Sequence, residues 1–168
     1  MPTLAKSLKR DPGLPFGLAG GVLAAFAVAG VLIAVGAHAL VLGSGFAARA
    51  LVACAVWTAV IALLARRHLK PRGFGAANTV TLVRGAMLAP LAGLLGESPA
   101  APAAWFAIAV AVAALFLDGM DGKLARRDGA TAFGARFDME TDALSILVLA
   151  VLCWQFGKAG AWILAAGT

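Results

Sequence analysis

Charged side chains are what this sequence has least of. Asp, Glu, Lys and Arg make up 13% of its 168 residues, where an average soluble domain has roughly 25%. Hydrophobic residues account for 62%, and the mean hydropathy is +0.93. A chain so poor in charge cannot cover a water-facing surface, so a soluble globular domain is excluded and an integral membrane protein is expected. Cysteine is nearly lacking as well, since Cys54 and Cys153 stand alone, each inside an apolar run. That excludes a disulfide framework and a CxxC metal site, and both thiols are expected to be buried and inert. Internal repeats of the kind common in secondary transporters are also missing.

Hydrophobic length, by contrast, is abundant. A helical crossing takes about 20 apolar residues, so the chain has room for about five or six. Apolar runs occupy 16–38, 46–65, 79–96, 102–121 and 137–156, with a short last piece at 159–168. Open strands cannot satisfy their backbone in lipid, which leaves helices. The expected fold is an all-α polytopic membrane protein with about five transmembrane helices plus a short final apolar segment. The first run follows a basic start and contains Ala37-His38-Ala39, which resembles a signal-cleavage site. From Phe16 to Leu42 it is longer than the roughly 7–15 residues of a signal core, so a retained span is expected. Gly17, Gly20 and Gly21 would let helices pack closely there.

A formal charge of +6 would suit nucleic acid if it lay along one face. Here the cations cluster in short segments between apolar runs, the pattern set by topology and anionic lipid. Membrane lipid is the expected partner, and nucleic acid is not. Placing Lys6, Lys9 and Arg10 in the cytoplasm puts 37–45 outside, 66–77 inside, 96–101 outside and 122–136 inside. The basic clusters then share one side, with Lys158 as the exception. The segment RRHLKPRGFG, residues 66–75, reads equally as an amphipathic stretch lying on headgroups and as a plain topogenic loop. The expected location is a bacterial cytoplasmic membrane, with any active site facing the cytoplasm.

Against this background LDGMDGKLARRDGATAFGARFDMETDAL, residues 117–144, stands out. On a helix, Asp118, Asp121, Gly122 and Ala125 are offset by three, four and seven and share a face; Gly134, Asp138 and Asp142 are spaced by four and share another. A hairpin of two such helices would aim four carboxylates at one point. An Asp at the centre of a span costs about 2.5–3.5 kcal/mol, so something positive must compensate. Arg126, Arg127 and Arg136 are candidate partners. Converging oxygen donors are also what hard divalent cations prefer, and with no Cys or His nearby Mg²⁺ or Mn²⁺ is the expected ion. Gly122 and Ala125 leave room beside it for a pyrophosphate, and Arg126 is placed to add a phosphate contact.

The set Asp118-x2-Asp121-Gly122-x2-Ala125-Arg126 followed by Gly134-x3-Asp138-x3-Asp142 resembles the signature of the CDP-alcohol phosphatidyltransferases, D-x2-D-G-x2-A-R-x8-G-x3-D-x3-D. All its fixed residues are present, and the gap from Arg126 to Gly134 holds seven residues, one fewer than in the family pattern. Upstream, Asn78-Thr79-Val80-Thr81-Leu82-Val83-Arg84 and Pro90 look like the N-x-(L/I)-T-x2-R opening of that family's first core helix. Taken alone, Asn78 reads as a helix cap and Arg84 as a snorkelling anchor.

The resemblance spans residues 66–168. It implies that a hydroxyl of an acceptor alcohol attacks the β-phosphorus of a CDP-alcohol, releasing CMP, in phospholipid biosynthesis. Asp118, Asp121, Asp138 and Asp142 would hold the metal, Asp142 would be the general base, and Gly122, Ala125, Arg126, Gly134, Thr81 and Arg84 would border the substrate. Gly134 would let the two signature helices approach. The family core has six helices with the signature on the second and third, so 66–168 is expected to be its N-terminal half, and 1–65 a two-span N-terminal extension. A homodimer is also implied. The rival readings are a capped, solvated loop, an intramembrane prenyltransferase, a truncated non-catalytic membrane protein and a carboxylate-lined divalent cation transporter.

Overall fold

The computed structural model describes residues 18–40, 42–68, 74–128 and 131–166. Among them the chain forms seven helices and no strand: α1 (Leu18–Ala39), α2 (Ser44–His68), α3 (Ala76–Ala86), α4 (Leu88–Gly93), α5 (Ala101–Asp128), α6 (Ala132–Gln155) and α7 (Trp162–Ala166). This is an all-α membrane protein. The basic start with Lys6, Lys9 and Arg10, and residues 69–73 of the expected surface segment, lie outside the described residues.

Among the described residues, three helical stretches are long and apolar enough to cross a bilayer: Gly20–Ala39, Ser44–Leu64 and Ala101–Arg127. The run expected at 79–96 is divided instead into α3 and α4 at Met87. Pro90 explains the break. It has no N–H to give the Ala86 carbonyl four residues back, and its ring crowds that oxygen. The Met87 N–H is shared between the carbonyls of Val83 and Arg84, both at 3.1 Å.

The α5 and α6 bounds also differ from the expected runs. The inner loop expected at 122–136 contracts to a few residues, because α5 continues to Asp128 and α6 starts at Ala132. Thr131 caps α6, its side-chain oxygen accepting from the Gly134 N–H at 3.0 Å. This cap satisfies one of the donors a helix start leaves orphaned. The fixed residues of the aspartate signature therefore all lie on helix, Asp118 to Arg126 on α5 and Gly134 to Asp142 on α6.

The broken α3–α4 pair is the centre of the bundle. Helix α1 packs on α3, α2 on α4, and both α5 and α6 on α3. One apolar cluster joins Ala29, Trp57, Leu82, Phe133 and Phe137, and a second joins Phe46, Leu91, Leu94, Ala103 and Leu152. Trp57 stacks on Phe137 with ring centroids 5.8 Å apart. Gly36 and Gly93 make room for the buried Phe46 ring, which lies 2.6 and 2.9 Å from where their Cβ atoms would be. Close approach of this kind is how helices associate in lipid, where burial of apolar surface gives no separation from water. Cys54 is buried as expected, whereas Cys153 is half-exposed. The large exposed residues of α5, Trp105, Leu115 and Phe116 among them, are the expected lipid-facing surface.

Candidate active site: a carboxylate cluster around Arg84

Three helices supply the cluster. Asp118 and Asp121 come from α5, Asp138 and Asp142 from α6, and Arg84 from α3 between them. Helical spacing puts each acidic pair on the face turned to α3. Arg84 is 3% exposed and forms ion pairs with Asp118 and Asp138. Its Nη1 is also 2.9 Å from Asp142 Oδ1, and its Nε is 3.8 Å from Asp121 Oδ2. That last distance is too long for a hydrogen bond, and Nε is buried with no hydrogen-bond partner among the described residues.

The site has a floor and a rim. Arg84, Asp121 and Thr81 are buried, and the Thr81 hydroxyl donates to Asp121 Oδ2 at 2.9 Å. Asp118, Asp138 and Asp142 form the rim, with side chains 42%, 42% and 49% exposed. Each rim residue offers a carboxylate oxygen, and these three oxygens lie within 4.8 Å of one another. Asp121 stands behind that group, turned to Thr81.

The donor chemistry fits a hard divalent cation. The rim is all carboxylate oxygen, and four carboxylates against one guanidinium leave three formal negative charges. Oxygen donors of this kind suit Mg²⁺ or Mn²⁺. The compensating arginine is not one of those expected from the sequence. Arg136 pairs with Glu140 at 3.9 Å, one turn along the same exposed helix face, and Arg126 and Arg127 are exposed and make no ion pair with the four aspartates. Arg84 provides the positive charge instead.

The small residues divide by role. At Gly122 a Cβ would meet only the Arg126 guanidinium, at 3.5 Å, so the α5 face beside Asp118 and Asp121 is open. Ala125 continues that face, half-buried. At Gly134 a Cβ would lie 2.7 Å from Asn78 Oδ1. The glycine thus lets α6 approach α3 rather than α5, correcting the expectation that it brings the two signature helices together. The central place of Arg84 was missed from sequence. A signal for it existed, because Asn78, Thr81 and Arg84 recur every three residues in an apolar run and mark one buried polar face.

A helical bundle with an acidic, half-open site, built partly on a helix long and apolar enough to cross a bilayer, defines a class of membrane protein whose carboxylates could bind a cation. Residues 74–168, more than half of the chain, match the family model of the CDP-alcohol phosphatidyltransferases, and the chain belongs to that family. Membership carries a phosphotransferase role in phospholipid synthesis, on CDP-alcohol and alcohol substrates. No curated protein and no solved structure matches it.

Proposed function

We propose that this chain moves a phosphoryl-alcohol group, phosphatidyl in the leading case, from a CDP-alcohol to the hydroxyl of an acceptor, with release of CMP. The observation that supports it is the convergence of the Asp118, Asp138 and Asp142 oxygens within 4.8 Å, beside an α5 face kept open at Gly122. Asp118, Asp138 and Asp142 would hold the divalent ion, with Asp121 behind them. When bound, that ion neutralises the pyrophosphate and stabilises the charge that grows on the departing CMP.

Asp142 is the rim carboxylate farthest along α6 and the most exposed of the three. It takes the proton of the acceptor hydroxyl as the oxygen bonds to the β-phosphorus and the bond from that phosphorus to the CMP oxygen breaks. Gly122 and Ala125 give the nucleotide access to the α5 face, and the exposed Arg126 steadies a phosphate. The positive-inside pattern supports a mouth at the cytoplasmic face, where a charged donor headgroup and a soluble acceptor can meet. Residues 66–168 would be the N-terminal half of the family core, with 1–65 a two-span addition.

The test is CMP release from CDP-diacylglycerol and other CDP-alcohols, supplied with Mn²⁺ and a panel of acceptor alcohols. Asp142→Asn is expected to lose about 100-fold or more in turnover, the low end of what a positioned base contributes. Equal CMP release by variant and parent would remove Asp142 from that role. Transport of Mn²⁺ across a membrane with no CDP-alcohol turnover would replace the enzyme reading with a carrier.

A further inference from the structure

Arg84 is the residue on which all four aspartates converge, and it is buried while three of them face outward. Any charged ligand arriving from outside meets the rim first and Arg84 last. The guanidinium is held at its Nη1 and Nη2 edge by Asp118, Asp138 and Asp142, while its Nε has no hydrogen bond among the described residues. Three carboxylates this close repel one another unless a cation lies among them. The carboxylates that hold Arg84 are also the three whose oxygens are near enough to share a metal ion.

We propose that Arg84 is a resident counter-cation of this site. It keeps the rim carboxylates convergent before a divalent ion arrives, and it competes with that ion for them. Ion loading moves the guanidinium off the rim and toward Asp121, whose Oδ2 already faces Nε at 3.8 Å. Arg84 is on this account a positioning residue that acts through the carboxylates. The assignment rests on the reading of the rim as a divalent-ion site. It separates two effects that a phosphate-binding arginine would not produce, because removing a competitor strengthens ion binding even as it weakens the ion-free fold.

The experiment uses the full chain in detergent micelles. Mn²⁺ binding is followed by loss of the free-ion paramagnetic resonance signal, and thermal unfolding is measured in EDTA and in Mn²⁺. Arg84→Gln removes the charge; Arg84→Lys keeps it but loses the planar fork that serves several carboxylates at once. In EDTA, Arg84→Gln is expected to unfold at a lower temperature than the parent. It is expected to bind Mn²⁺ at least about tenfold more tightly, a decade in affinity being about 1.4 kcal/mol, and to gain more thermal stability from the ion. Arg84→Lys falls between the two and carries the affinity comparison if the Gln variant does not fold. Mn²⁺ affinity equal to or weaker than the parent's in the folded variants would overturn the proposal while leaving the ion site standing. Failure of Mn²⁺ to bind any of these chains, or binding undiminished in Asp138→Asn, would instead overturn the divalent-ion reading, and the competition with it.

Discussion

Gly122 lies one turn beyond Asp118 on α5, and a Cβ there would touch nothing except the movable end of Arg126. A larger side chain can therefore be accommodated by the fold while filling the space beside the carboxylates. Gly122→Leu is expected to leave the unfolding temperature in micelles nearly unchanged and to raise KM for the CDP-alcohol by about tenfold or more, roughly 1.4 kcal/mol of lost binding. An unchanged KM would mean that the nucleotide does not lie on this face. The four aspartates were legible because spacings of three and four residues put them on helix faces whatever the tertiary fold. The role of Arg84 was not, since its partners Asp118 and Asp138 are 34 and 54 residues away in sequence. Local periodicity marks a buried polar face without saying what it meets.

At the scale of elements, the site depends on how closely α6 crosses α3. Gly134 sets that distance, with Asn78 Oδ1 2.7 Å from the position of a Cβ. Gly134→Ala is expected to push the start of α6 outward, carry Asp138 and Asp142 away from Asp118, and cost about 1–3 kcal/mol in stability, the usual range for overpacking. Mn²⁺ affinity should fall with it. Adding Asn78→Ala removes the obstructing amide, so the double variant should recover much of both losses. Purely additive losses would show that the two residues do not meet. The existence and helical nature of these elements could be read from hydrophobic length alone. Their ends could not. Pro90 was visible as part of a motif, yet its effect, to divide one expected span into α3 and α4, follows from backbone chemistry that average hydropathy does not register. The extension of α5 through Asp128 was hidden by the same averaging, because Lys123, Arg126 and Arg127 look like a loop although their helix propensities are good.

At the scale of the whole molecule, the charges that remain uncompensated decide which end of the bundle faces the cytoplasm. Lys123, Arg126, Arg127 and Arg136 gather at the end that carries the aspartate cluster. At the opposite end Arg49 pairs with Glu97 and donates from Nε to the Gly93 carbonyl at 3.1 Å. Gln155 ties the same turn from α6, through bonds of 3.0 Å to the carbonyls of Leu94 and Glu97. Arg49 is thus neutralised locally and gives little topological signal, leaving Lys158 as the exposed cation of that end. By the positive-inside rule Lys123 is expected in the cytoplasm and Ser98 outside. With Cys54 and Cys153 replaced by Ala, a membrane-impermeant maleimide applied to intact cells should label Ser98→Cys and should reach Lys123→Cys only after permeabilisation. Both positions are exposed, so poor reactivity from burial does not confuse the result. The opposite labelling would turn the carboxylate rim away from the compartment that supplies CDP-alcohols, and the proposed reaction would lose its donor.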